Sequence, residues 1–523
     1  MNIYPFLKTG LLATGFTILT SLSFAQSWEV YDQNFQLTSR IEFDHISILG
    51  ESVRISSMGN ELNLLGKDYR SFLNLKGESV YQYLEPWIIV KGPKGLGAFH
   101  EYGEEVFPLE YDDIQIFYTK LLAQKGNAFW VYDRVKKSTV SIGTFDQALL
   151  AKNGQVIAQN EKGFFLPLSK NPGKVFKKLL EVNENFLISD EDTGFGLINR
   201  EGEYILEPII DELIHLEENY FYAFDGKQYM LIKAREERAD IKYTSYHKIT
   251  LGQNNMMLEY IHGKLRRVMD NEGILLDQTG MEKVTQVGYK KYNVYLRDKS
   301  VGLLGEGGWL VNPVLNLETI LPGKENLYGA KKEGKYGFIN KSGQMLIENR
   351  FDEISVFSEG LAAVKRNGLW GFVNKADQII VTPQFEEVLD FHNGLSVVKQ
   401  NGKSNLIDKN GGVLLGNWYS RISIAPDNYF ITEENGLFGL IDASGLEIVG
   451  PKFNELRRET QDKIVVKMGD KFGVMDESGN YSLPIYYKNI IFDQGTNKIL
   501  VEDRYQFMPA AAVEKEIKKK RGV

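Results

Sequence analysis

The 523-residue chain contains no cysteine. That excludes disulfide cross-links, a thiolate nucleophile and every Cys-ligated zinc or iron–sulfur site. Histidine is scarce: His45, His100, His215, His247, His262 and His392 are the whole set. None forms an HExxH pair or a cluster in sequence, so a zinc centre would require three to converge through folding alone. No GxSxG elbow is present, and GLLGEGG at 302–308 lacks both the GKS/GKT ending and the following helix of a phosphate loop. Positive charge is the minority, 61 Lys+Arg against 69 Asp+Glu for a formal net charge of -8, which argues against general nucleic-acid binding. Apolar runs long enough to cross a bilayer, about 20 residues, are also missing. The nearest is Leu11 to Phe24.

That run belongs to the first of four segments. Residues 1–25 carry Lys8, the apolar stretch and then Ser23-Phe24-Ala25, the pattern of a secretory signal peptide cleaved before Gln26; a buried N-terminal helix is the alternative. No cysteine follows for lipidation, so the mature chain is expected to be exported, whether periplasmic, outer-surface or secreted. At the far end 514–523 is a basic tail, with five basic and two acidic residues in Glu514 to Arg521, suited to peripheral contact with an acidic surface. Between them, 26–262 and 263–513 are both occupied by one repeat.

Glycine, 50 of 523 residues, exceeds the usual roughly 7%, and the excess is periodic. Gly337, Gly371, Asn405, Gly439 and Gly473 stand 34 residues apart. Upstream, Glu29, Leu62, Gly97, Trp130, Gly163, Gly196, Tyr229, Arg267 and Gly302 continue the register with spacings of 33 to 38, giving 14 anchors. Asn367-Gly368, Asn401-Gly402 and Asn435-Gly436 precede anchors. Both residue types tolerate the positive φ of a type I′ turn, so each step predicts a hairpin. After the anchors, Asn199/Gly202, Asn340/Gly343, Asp408/Gly411, Asp442/Gly445 and Asp476/Gly479 repeat an Asx-x-x-Gly spacing. This reads as a second turn and not as a row of catalytic acids. Pro208, Pro383 and Pro451 lie 12 residues past their anchors and are expected to end a third strand. Phe351, Phe385, Tyr419, Phe453 and Tyr487 follow, often with acidic residues and an aliphatic one, as in Phe385-Glu386-Glu387-Val388. They predict a short fourth element plugged into a core. Gly, Asx-Gly or Pro interrupts the pattern too often for the helices of α-helical repeats. Each unit is therefore an antiparallel β-meander of about 34 residues, too small to be stable without its neighbours.

The segments GKYGFINKSGQMLIENRFDEISVF (334–357) and GLWGFVNKADQIIVTPQFEEVLDF (368–391) resemble the bacterial WG-repeat, or KWG-repeat, proteins. Trp370-Gly371 is the full pair; Tyr336, Phe438, Phe472 and Phe195 replace Trp elsewhere, and Ser404-Asn405 departs from both halves. The resemblance covers 334–490 and, less closely, 90–215. It implies an all-β repeat protein, commonly exported or cell-surface, with no catalytic residues to carry over.

The expected fold is all-β with propeller-like blades; the alternative is an open superhelical array with end caps at 26–60 and 495–513. A four-stranded blade usually takes roughly 40–45 residues, so a short outer strand is expected. Gly337, Trp370, Gly371, Gly439, Gly473, Phe351, Phe385, Pro383 and Pro451 are read as structural. Aromatic residues off the repeat register, namely Tyr81, Tyr83, Tyr220, Tyr222, Tyr243 and Tyr246, are the candidate surface contacts. The charged segment KAREERADIK (233–242) reads as a solvated insertion, and the acidic pairs as solvated loops without an EF-hand spacing. No cofactor or metal is expected. The functional expectation is a non-enzymatic exported scaffold contacting a protein or an envelope glycan, without nucleic-acid binding or a transmembrane segment. The alternative is an extracytoplasmic hydrolase whose carboxylates converge in a cleft.

Overall fold

The computed structural model describes residues 26–506 apart from 52, 60, 426–428 and 461; the expected signal peptide, 1–25, and the basic tail, 514–523, lie outside the described residues. Among the described residues the only helix is a single 3-10 turn, Gln253–Asn255. The strands form fourteen antiparallel sheets, twelve of four strands and two of three. They are the blades of a β-propeller, not an open array. Two compact units are present: 26–209 with 470–473 and 483–506, and 210–469 with 474–482.

Every one of the fourteen anchors falls in the third strand of its sheet. In the best-formed blade the strands are Glu353–Ile354, Leu361–Arg366, Leu369–Asn374 and Ile379–Phe385. The short element is thus the first strand of a blade, not an outer fourth one, and the Phe-Glu-Glu-Val step belongs half to one sheet and half to the next. The two turns behave as the residue types demand. Asn367 and Gly368 have φ of 53° and 83°. Asp408, Asp442 and Asp476 each accept backbone N–H groups two and four residues on. The acidic residues beside the first strand have a further use. Asp352 accepts the Asn367 N–H at 2.8 Å and Glu386 accepts the Gly402 N–H at 3.0 Å, pinning the hairpin turn of the same blade.

The anchor glycine is required by a close approach. A methyl group on Gly371 would lie 2.3 Å from the Val381 carbonyl oxygen and 2.6 Å from the Pro383 nitrogen. The carbonyl ten residues on makes the same approach at Gly337 (Ile347, 2.3 Å), Gly439 (Val449, 2.6 Å), Gly97 (Phe107, 2.9 Å), Gly473 (Leu483, 2.9 Å) and Gly196 (Leu206, 3.0 Å). There the fourth strand bulges: Phe372 pairs with Val381, but Trp370 pairs with Phe385. Phe338/Ile347 with Tyr336/Phe351, and Leu440/Val449 with Phe438/Phe453, repeat the offset. Pro383 and Pro451 therefore lie within the fourth strand rather than ending it. In the bulge of an edge strand their missing N–H costs no ladder bond. The bulge returns Phe351, Phe385 and Phe453 to the core, each at most 2% exposed, beside the aromatic residue that precedes the anchor. Where Asn405 replaces glycine, its side chain fills that space, donating to Leu415 O at 3.1 Å and Asn417 O at 3.0 Å. That sheet has only three strands.

Alternation along the two central strands supplies both faces of a blade. Ala362 and Val364 join Leu327, Phe338 and Phe351 of the preceding sheet, whereas Leu361 and Ala363 join Val398 and Ile407 of the following one. Burying each such Phe contributes about 1.5–3 kcal/mol, realised only when the neighbouring blade is present.

The terminal strands are not caps. Gln26–Tyr31 pairs with Lys498–Gln506, making a composite sheet with Leu37–Glu42 on one side and Asn489–Asp493 on the other. Arg54, from the next sheet, reaches the composite one. Its side chain is 1% exposed and paired with the fully buried Asp493, with Nη2 to Oδ1 at 2.7 Å. Tyr69 donates to the same carboxylate at 2.6 Å. Burial alone would raise the Asp493 pKa, but the guanidinium and the hydroxyls of Tyr69 and Thr496 outweigh it and hold the carboxyl below its ordinary value.

Gly371→Ala should lower stability by about 1–3 kcal/mol, as overpacking does, read as a lower urea midpoint; an unchanged midpoint would refute the close approach. Asp493→Ala should cost about 3–5 kcal/mol by stranding a buried guanidinium. Because folding depresses this pKa, the stabilisation is complete above the unfolded value of about 3.9 and is lost as pH falls through the folded value. Asp493→Ala should consequently flatten the acid limb of stability measured against pH.

Candidate functional site

The off-register tyrosines separate into two kinds. Tyr220 and Tyr222 are 2% and 4% exposed and pack in one core with Leu231, Met257 and Met269. They cannot be the surface contacts their position off the register suggested. They sit on the second strand, Tyr220–Phe224, which is covered on both faces. The Tyr222 hydroxyl pKa is raised, first by burial and then by Glu212. Tyr243 is half-buried, donating to Glu259 at 2.9 Å and accepting from Arg267 at 2.8 Å. Glu259 itself is fully buried and bound by Arg267 at 2.8 Å. Tyr246 is 81% exposed. Tyr81 is exposed as well, whereas Tyr83 packs against a core cluster. The segment 233–242 is no insertion: it comprises the end of Tyr229–Ala234, the turn 235–238 and the start of Ala239–Ser245, with Asp240 held by Arg235 at 2.5 Å and Arg238 at 2.8 Å. In GLLGEGG, the anchor Gly302 lies against the Trp309 ring.

Carboxylates do gather in one place. In the unit 210–469, Asp270, Glu272, Glu306 and Lys290 line a cavity of about 370 Å³. Each acid there has its own partner. Asp270 accepts the Glu272 and Gly273 N–H groups, Glu272 accepts from Tyr220 at 3.0 Å, and Glu306 pairs with Lys290 at 3.1 Å. Tyr220, a core residue, thus holds one of the acids that line this cavity. A second cavity, of about 400 Å³, lies in the other unit and has a different character. Its charged lining is Lys120, Lys170, Arg200 and Glu201, accompanied by Asn153 and Gln155. Nothing in the sequence register pointed to it, because its residues come from turns of three successive blades.

Among the described residues no group of three or more His, Cys, Asp or Glu side chains is arranged to hold a metal. His247 and His262 do meet, with ring centroids 6.0 Å apart. Among the same residues no helix is long and apolar enough to cross a membrane.

Fold and repeat geometry together define an all-β propeller-type repeat protein whose regular four-stranded blades repeat one bulged third-to-fourth strand hairpin. The WG containing repeat model matches residues 195–228, 336–370, 370–403 and 438–472. The chain is a WG-repeat protein, and these four segments carry the family's repeat. No curated protein matches the chain. Among solved structures it is similar to the extracellular domain of the putative hybrid two component system BT3049 from B. thetaiotaomicron, with 11% identity, 90% of this chain and 82% of that one covered, and a TM-score of 0.23. It is also similar to PorZ, a bacterial surface component of the type-IX secretion system of Porphyromonas gingivalis, with 9% identity, 87% of each chain covered and a TM-score of 0.22. At TM-scores this low neither likeness says anything of this chain's ligand or location.

The two tyrosine classes give opposite expectations on truncation. Tyr222→Ala should lose about 3–5 kcal/mol of stability, as large-to-small core changes do, while Tyr246→Ala should stay within about 0.5 kcal/mol of the parent. Equal thermal shifts for the two variants would contradict the assignment.

Proposed function

We propose that the mature chain is an exported, non-enzymatic scaffold that contacts a protein or a cell-envelope glycan through surfaces repeated from blade to blade. The observation that carries this reading is the conservation of backbone geometry against the variety of what it displays. Third strands in all fourteen sheets hold the anchors, while the turns carry exposed residues as different as Val135, Tyr246 and Glu333. A rigid repeated frame with variable turns is the usual division of labour in repeat binders. The export pattern of residues 1–25 supports a periplasmic, outer-surface or secreted location, and Lys518 to Arg521 supply a means of peripheral surface contact. Against the hydrolase alternative stands the cavity of Asp270, Glu272 and Glu306. Its acids are engaged by a turn, a tyrosine and a lysine, leaving no carboxylate pair free for acid and base roles.

A scan replacing the exposed turn residues of one blade at a time, read by affinity capture from the native envelope, tests the proposal. Several blades should each weaken capture, with β-sheet circular dichroism retained. Capture that is unchanged across the whole scan, or absent for the parent, would overturn it.

A further inference from the structure

The cavity of the unit containing 26–209 is built unlike an ordinary surface dimple. Asn153 and Gln155 are only 6% and 7% exposed, in the turn between Gln147–Leu150 and Val156–Asn160. Each keeps one polar atom without a hydrogen-bond partner: the donor Nδ2 of Asn153 and the acceptor Oε1 of Gln155. Their other atoms are used. Asn153 Oδ1 accepts the Gln155 N–H at 3.0 Å, and the Gln155 amide donates to the Arg200 carbonyl oxygen, so the two side chains are held in place. A buried amide atom left without a partner is costly, and a bound ligand that supplies the partner recovers that cost.

The charge around these atoms is positive and only partly compensated. Lys120 donates to the Gly154 carbonyl at 2.7 Å, and Arg200 Nε donates to the Glu184 carbonyl at 2.9 Å. Among the described residues neither cation has a carboxylate within salt-bridge distance, whereas Lys170 is taken by Glu203 at 2.8 Å. Burial lowers the Lys120 pKa, Asp133 opposes that, and Lys136 and Arg200 lower it further. Phe117 contributes an apolar wall. A volume of about 400 Å³ is within the range of small-ligand pockets.

A ligand that completes this set must bring an anion to Lys120 and Arg200, an acceptor to Asn153 and a donor to Gln155. It must also place C–H surface on Phe117. Sugar acids carry all four features in one ring: a carboxylate, hydroxyls that both donate and accept, and an apolar face. We infer that this cavity binds a uronate, either free or as a residue of an acidic glycan. The inference deepens the envelope-glycan side of the proposed function and takes its biological setting from that reading, but the binding itself is tested apart from it.

Calorimetric titration of the chain 26–523 with methyl glucuronoside, methyl glucoside, acetate and an oligouronate is the test. The expected result is saturable one-site binding of the glucuronoside, with methyl glucoside and acetate weaker by roughly tenfold or more. Lys120→Met and Asn153→Leu should each reduce glucuronoside binding by a similar factor, and Tyr246→Ala should leave it unchanged. An oligouronate binding more tightly than the monosaccharide identifies a glycan chain as the source; equal affinities identify the free sugar acid. No saturation with the folded parent chain, equal binding of acetate or glucoside, or indifference to both cavity variants would overturn the inference. The parent's discrimination among the four probes decides even if a variant fails to fold. Envelope capture that persists without glucuronoside binding would remove this site and leave the scaffold reading standing.

Discussion

One steric fact organises each regular blade: a carbonyl oxygen of the fourth strand lies against the α-carbon of a glycine in the third. At Gly371 and Gly337 that space would leave a side-chain carbon only 2.3 Å from the oxygen, so no other residue fits without moving the strand. The approach is what permits the bulge, and the bulge is what brings an aromatic residue fourteen positions later back beside the Trp, Tyr or Phe preceding the glycine. That returning ring then fills the core between blades. The Trp-Gly signature, the Pro and the later Phe are thus parts of one local conformation. Asn405 supplies the exception that explains the rule: its amide takes over the carbonyls that would have pressed on glycine, and the fourth strand is lost from that sheet.

The composite sheet extends the same logic to the chain ends. A blade that has lost its third and fourth strands would leave an edge open to pairing with other chains; here Gln26–Tyr31 and Leu37–Glu42 supply them to Asn489–Asp493 and Lys498–Gln506. Glu29 occupies the anchor position of that borrowed third strand, accepting from Arg40 at 2.7 Å and from Tyr31 at 2.7 Å. Polar pairing thus replaces the glycine at the junction. The buried Arg54–Asp493 pair ties the neighbouring sheet to the composite one, and removing either partner would leave the other charge buried and unpaired.

Much of this was legible before any coordinates. The period of 34 residues, the Asn-Gly hairpins and the Asx turns follow from residue types whose backbone preferences are local, and local preferences survive folding. What the sequence concealed was long-range. Nothing near Pro383 indicates that its strand continues through a bulge, because the reason is the third-strand glycine across the ladder. Glu29, a weak anchor taken alone, gives no sign that its partner is Val501. Tyr220 and Tyr222 lie off the register and so looked external, yet their strand is covered from both sides. The basic cavity was invisible for the same reason: Lys120, Asn153 and Arg200 are far apart in sequence and meet only because successive blades stack their turns.

For function, the frame and the turns answer to different pressures. The core of each blade is nearly fixed by the bulge, whereas the turns and strand ends vary in charge and aromatic content, which suits recognition spread over several modest contacts. Hydrogen exchange resolved by segment is the most direct test of the shared blade geometry. Slow exchange should recur in all fourteen third strands with the spacing of the anchors, the strand Gln26–Tyr31 included, and fast exchange should mark the positive-φ turns between them. Protection confined to a few blades, with residues 26–42 exchanging as an unpaired chain, would contradict the account.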